Sequence, residues 1–265
     1  MVTGKCALCD QQKKFCKAHI IPISWKSVAG GQLNPGDARP GDQDMVTLRP
    51  EYTRQGAHRE FVFDDGILCG DCDRLSLGPY DKAFVEFGRK WIVDPANYTA
   101  KAGNTVNFPV QSNVTSNTLI IGVASILWRA HLSTRFPHIK LGRYAQTFKE
   151  WINTNLLPDN LTDYLSICVE AMLPSREAYK GMKEAHLLAS PEIGHRKYNG
   201  SYLYELFLPA LYFGIRVGKG DQQKYNLQNI WLPNSKTIPL RVVPFEGSTH
   251  AKALAWLAEN HIPTR

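Results

Sequence analysis

Apolar residues recur at helical spacing in the middle of this chain and give way to a strand-like texture beyond it. Leu119, Ile120, Val123, Ile126, Leu127 and Ala130 follow steps of three and four, which predicts a helix from Asn117, capped by Ser116 and ending before Pro137. Tyr144, Phe148, Trp151 and Ile152 predict a second helix that closes near residues 157–158. Residues 164–172 are rich in strand formers, and 202–217 is an aromatic and β-branched run that Pro209 and Gly214 divide into two strands. Residues 226–231 and 237–243 predict a further pair of strands. Ser248 and Thr249 predict the cap of a last helix with Ala251, Leu254, Ala255 and Leu257 inward.

The polar stretches set the expected organisation. Residues 29–46 are rich in Gly, Pro and Asp without apolar period and read as a surface loop. Residues 94–116, with Pro95, Gly103 and Pro109 among polar neighbours, read as the linker or edge between two units. The expected division is a small module at 1–100, with 29–46 inserted in it, and an α+β domain of helices and antiparallel sheet at 101–265. No internal repeat is visible.

With 265 residues, 43% of them hydrophobic, the chain can bury a core without covalent staples. Its longest apolar run, 119–128, is interrupted by Gly122 and Ser125 and ends at Arg129, short of the roughly 20 residues that span a bilayer. The opening MVTGKCALCDQQKKFC has no signal-type apolar core, so no membrane association and a cytoplasmic location are expected. The formal charge of +7 is not evenly spread. Residues 1–100 balance, whereas 101–265 hold 18 Lys+Arg against 11 Asp+Glu. A diffuse excess of this kind reads first as solvated surface and only weakly as a footprint for a polyanion.

The cysteines change the picture more. Four of the six form two CxxC pairs, Cys6-Ala7-Leu8-Cys9 and Cys69-Gly70-Asp71-Cys72, and the second precedes a helix expected over 73–89. A CxxC turn presents two thiolates to one ion, and two such turns complete a tetrahedral shell, so Cys6, Cys9, Cys69 and Cys72 are the expected ligands of a structural Zn2+. Two alternatives share these residues. One is a redox dithiol, although no thioredoxin-like pattern surrounds either pair. The other is a set of Cys6, Cys9, Cys16 and His19, which would leave a well-formed CxxC without a role.

The order CALC, then Ala18-His19-Ile20-Ile21-Pro22, then Ile67-Leu68-Cys69-Gly70-Asp71-Cys72-Asp73 resembles the zinc-bearing HNH endonucleases over about residues 5–90. With Asp73-Arg74-Leu75-Ser76, Tyr80-Asp81 and 127–133 added, most of the chain is similar to uncharacterised bacterial and phage-borne proteins that join an HNH-like module to an α+β region. The resemblance implies a treble-clef, ββα-metal module around the zinc. It also implies phosphodiester hydrolysis, with His19 as general base and a catalytic Mg2+ or Mn2+ held by oxygen donors. Asp73 matches the position where that family often has a metal-ligating His or Asn, and Asp64 or Asp65 lies near its middle asparagine. Two departures from the family pattern matter. Ala18, which cannot bind an ion, occupies a place where active relatives often have a metal-competent side chain, and the interval between Cys9 and Cys69 is longer than a compact module needs, which looping out 29–46 accommodates at small entropic cost.

Each candidate also has an ordinary structural reading. Asp73 in the first turn of a helix meets the dipole favourably, Asp64-Asp65-Gly66 makes a turn by itself, and a single histidine is most often a hydrogen-bonded residue. Trp128, Arg129 and residues 131–133 read as a packing helix with one polar face. Lys13, Lys14 and Lys17 precede His19 and suit contact with phosphates, or simply an exposed hairpin. Two functions follow: a metal-dependent endonuclease acting on DNA, or on RNA, and a catalytically inactive zinc module that binds nucleic acid or a protein partner. Residues 101–265 show no Walker loop, nucleophile elbow or dinucleotide fingerprint, and are expected to serve target binding, homodimer formation or contact with another protein.

Overall fold

Strand-forming residues from Thr105 onward assemble a six-stranded sheet, and two helices carry the N-terminal cysteine segment onto the same core. The structure, a computed structural model, describes residues 2–25, 63–93, 103–110, 114–172, 192–198, 201–208, 210–218, 230–244, 248, 249 and 252. The expected loop at 29–46, the strand start at 226–229 and most of the last helix lie outside them. Two short strands, β1 (Thr3–Lys5) and β2 (Gln12–Lys14), flank the first CxxC, and β3 (Ala18–His19) pairs antiparallel with β4 (Phe63–Asp64). A helix opens within the second CxxC, widens to π spacing over Cys72–Leu77 and continues as α1 (Gly78–Val93). It outruns the expected 73–89 at both ends.

Then follow β5 (Thr105–Pro109), α2 (Ser116–Leu132), α3 (Tyr144–Thr154), β6 (Leu165–Met172), β7 (Glu192–Tyr198), β8 (Ser201–Leu208), β9 (Leu211–Val217) and β10 (Thr237–Val243). The sheet order is β5-β10-β6-β9-β8-β7. The stretch expected as a linker or edge contains β5, an edge strand paired with β10, and Pro109 is tolerated because it closes that edge strand. One expectation is corrected. The sheet is mixed rather than antiparallel, because β10 returns between β5 and β6 and runs parallel to β6. The run at 202–217 divides at 209–210, where Ala210 adopts a left-handed φ of 58°, whereas Gly214 stays within β9.

Helix α2 is buried on nearly every face from Ser116 to Ala130, as a helix apolar all round must be. Its cap is Thr115, whose side chain accepts from the Thr118 N–H; Ser116 instead accepts from the Ser235 N–H. Gly122 sits where α2 crosses α1, with the Tyr80 carbonyl only 3.4 Å from where a Cβ would lie. Phe84, Phe87 and Trp91 of α1 then meet Phe213, Phe108, Trp231 and the Met172 carbonyl of the sheet region. Buried apolar residues form one cluster from Cys6 to Val243.

The polar face expected on α2 is absent at Arg129, whose side chain is wholly buried. Its guanidinium donates to both Asp81 oxygens at 2.6 and 2.9 Å, to the His19 carbonyl at 2.7 Å and to the Ser125 carbonyl. One cation thus joins α1, α2 and β3. Removing the carboxylate alone leaves that charge uncompensated, so Asp81→Leu is expected to lose about 3–5 kcal/mol in urea denaturation and the paired change with Arg129→Met much less. A loss under about 1 kcal/mol for Asp81→Leu would make the pair no stronger than a surface bridge.

Candidate metal centre

The two CxxC segments fold as tight turns for local reasons. In the first, the Cys6 N–H donates to the Gln11 carbonyl and the Asp10 N–H to the Cys6 carbonyl, both at 2.9 Å, and Asp10 takes a left-handed φ of 60°. In the second, the Asp73 N–H donates to the Cys69 carbonyl as the helix begins. Backbone bonds from Ala7 to Ile67 and from Cys16 to Leu68, with a bridge between Phe15 and Cys69, clamp the turns together. Lys13 on β2 adds a 3.0 Å ion pair to Asp71, inside the second CxxC. Lys149 on α3 reaches Asp10 at 2.6 Å and fastens the first turn to the helices.

The result is that the Sγ atoms of Cys6, Cys9, Cys69 and Cys72 all lie within 4.8 Å of one another. Zinc at about 2.3 Å from each of four tetrahedral sulfurs places them about 3.8 Å apart, so the thiol set fits a structural zinc site. Three of the four residues are buried. The Cys69 N–H points at Cys6 Sγ from 3.4 Å. For Cys6, burial opposes ionisation, but N–H donors of Cys9, Cys69 and Leu8 outweigh it and bring the thiol down to about 7. Cys72 moves the other way: burial, hydrogen bonds with the other three sulfurs and the charge on Cys6 push it far above the ordinary thiol range. Four thiolates this close ionise together only around a cation.

Cys16 is not among the four. It is half-buried beside them, and burial, then the charges of Asp73, Cys69 and Cys6, push it up to about 11. His19 is half-buried on β3 opposite Phe63, its ring centroid 6.4 Å from the Phe63 ring.

The carboxylates are placed unequally. Asp64 is buried, and its two oxygens accept from the Gly66 N–H at 2.9 Å, the Ser133 hydroxyl at 2.8 Å and the Thr134 N–H at 3.2 Å. It therefore ties β4 to the end of α2. Asp65 is exposed in the following turn. Asp73 is half-buried; burial raises its pKa and Asp81 adds to this, while Arg129 and Arg74 oppose it. Among the described residues, the four cysteines are the one group of three or more His, Cys, Asp or Glu that converges.

Lys14 and Lys17 are exposed. Lys17 Nζ stands 4.7 Å from the Phe63 ring centroid and Arg135 Cζ 5.0 Å from it, so two cations share one aromatic ring next to His19. Neither Phe63 nor Arg135 carries a signal in the sequence. Arg135 lies far along the chain, and the bonds of Asp64 to Ser133 and Thr134 hold the segment just before it against β4.

Comparison of the chain with family models, with curated proteins and with solved structures finds no match. Among the described residues, no helix is long and apolar enough to cross a membrane. The geometry predicts one tightly held zinc per chain, lost in Cys9→Ala or Cys69→Ala and retained in Cys16→Ser. Elemental analysis of the purified variants checks this, and loss of zinc from Cys16→Ser would favour the set with Cys16 and His19. Acid should release the ion as the thiolates protonate, read with a chromogenic chelator.

Proposed function

We infer that this chain is a zinc-organised binding module for nucleic acid, similar in layout to HNH nucleases but not a cutting enzyme. The observation that carries the reading is the pair of cations, Lys17 and Arg135, held on Phe63 beside a tetrathiolate cluster that fixes β2 and the helix start. Cations held on a ring have less freedom to lose when they meet phosphates, and they position a backbone without reading bases. Zinc serves as scaffold only. Lys14 extends the positive edge, while Lys13 acts through Asp71 to brace the cluster.

The nuclease reading needs oxygen donors around a second ion near His19. Ala18 offers none, Asp64 already accepts from Gly66, Ser133 and Thr134, and Asp81 is paired with Arg129. Asp73 and Asp65 remain as donors for that reading, with His19 as its base and Mg2+ or Mn2+ as its ion. These observations weigh toward the binding module.

A labelled DNA duplex titrated with zinc-loaded protein should bind, with affinity falling steeply as salt rises. Lys17→Ala and Arg135→Ala should each weaken binding severalfold and lower the salt slope by about one. Plasmid incubated with Mg2+ or Mn2+ should stay supercoiled. Nicking that disappears in His19→Ala would restore the nuclease, and failure to bind DNA or RNA at low salt would remove nucleic acid as the partner.

A further inference from the structure

A second feature lies along the same loop. Beyond α2 the chain runs past Arg135 to His138, whose ring stacks on His195 of β7 with centroids 5.3 Å apart and planes at 23°. His195 in turn faces Tyr204 at 6.3 Å and 29°, and Tyr202 at 5.9 Å and 37°. The register explains the array: His195 pairs directly with Tyr204 across β7 and β8, and Tyr202 falls on the same face two residues away. Tyr204 is the fixed base of the group, buried and donating its hydroxyl to the Lys140 carbonyl at 2.6 Å. His138 Nε2 lies 3.5 Å from the Ile193 carbonyl. The outermost ring, Tyr202, keeps 48% of its surface exposed.

We propose that His138, His195 and Tyr202 form a stacking platform for a base of single-stranded nucleic acid, continuous with the Lys17 and Arg135 patch. Cross-strand pairing places His195, Tyr204 and Tyr202 on one face; it does not account for His138, which reaches from the connection after α2 to stack on His195 in an array that ends at the half-exposed Tyr202. Charge points to the occupant. From Pro95 to Lys149 the sequence contains no Asp or Glu, and Arg135, Lys140 and Arg143 are exposed along the connection that carries His138. Phosphate contacts and stacked rings are the two elements of sequence-tolerant single-strand binding. His138 lies three positions beyond Arg135, at most about 11 Å of chain. The cation and the ring array are thus close enough along the chain for one short strand to reach both.

The proposal rests on the nucleic-acid reading above, and its test separates the two. The zinc-loaded chain of residues 1–265 is titrated into fluorescein-labelled oligothymidylate and into a duplex of equal length. Tyr202→Val should bind the single strand about tenfold more weakly and the duplex nearly as before, with Tyr202→Phe close to wild type. In Tyr202→Trp, emission should be quenched as the single strand binds beyond any change in the wild type, whose six tryptophans set the baseline. Single-strand binding by Tyr202→Val equal to wild type, or no quenching beyond the wild-type baseline at saturation, overturns the platform; if Arg135→Ala still weakens binding, the broader reading stands. Failure of the wild type to bind either probe, or an RNA strand of equal length, overturns both.

Discussion

Four sulfur atoms from two turns 63 residues apart in sequence converge to within 4.8 Å of one another, close enough to share one ion, and the N-terminal part of the fold is arranged around that convergence. Each CxxC is a small local structure that has little to bury by itself. What joins them is the backbone clamp of Ala7 on Ile67 and Cys16 on Leu68, with Lys13 and Asp71 across the gap. Closing a long excursion costs entropy that grows only with the logarithm of its length, so a strongly bound ion can offset it. The helix that starts at the second turn then has a fixed origin, and α1 delivers Phe84, Phe87 and Trp91 to the sheet from there.

Two buried polar groups transmit that placement. Arg129 holds the His19 carbonyl and Asp81 at once, and Asp64 holds the far end of α2 through Ser133 and Thr134. Both act between the cysteine segment and the helix it packs against. Asp64, whose sequence position is compatible with a metal ligand, therefore has a clear mechanical task. The same clasp brings Arg135 to Phe63 and sets the loop that continues to His138, so the cationic patch and the ring array share one support.

The local features were legible in sequence and the long-range ones were not. CxxC spacing, the apolar period of α2 and the β-branched texture of β6 and β9 are properties of a few neighbouring residues, and each corresponds to an observed element. The edge strand β5 was hidden in a polar stretch with Pro109, because an edge needs only one paired side. The parallel partnership of β10 and β6 depends on chain return and leaves no local mark. The same holds for Asp64 and Arg129: their side-chain partners lie 69 and 48 residues away, and nothing near them in sequence announces those bonds. The buried cluster running from Cys6 to Val243 is a physical link between the regions on either side of residue 100.

The most direct measurement is X-ray absorption at the zinc edge on the purified chain. Four sulfur scatterers at about 2.3 Å, with no nitrogen or oxygen in the first shell, are expected for an all-cysteine site. A shell containing imidazole nitrogen, or a chain that carries no zinc when purified without chelators, would contradict the account.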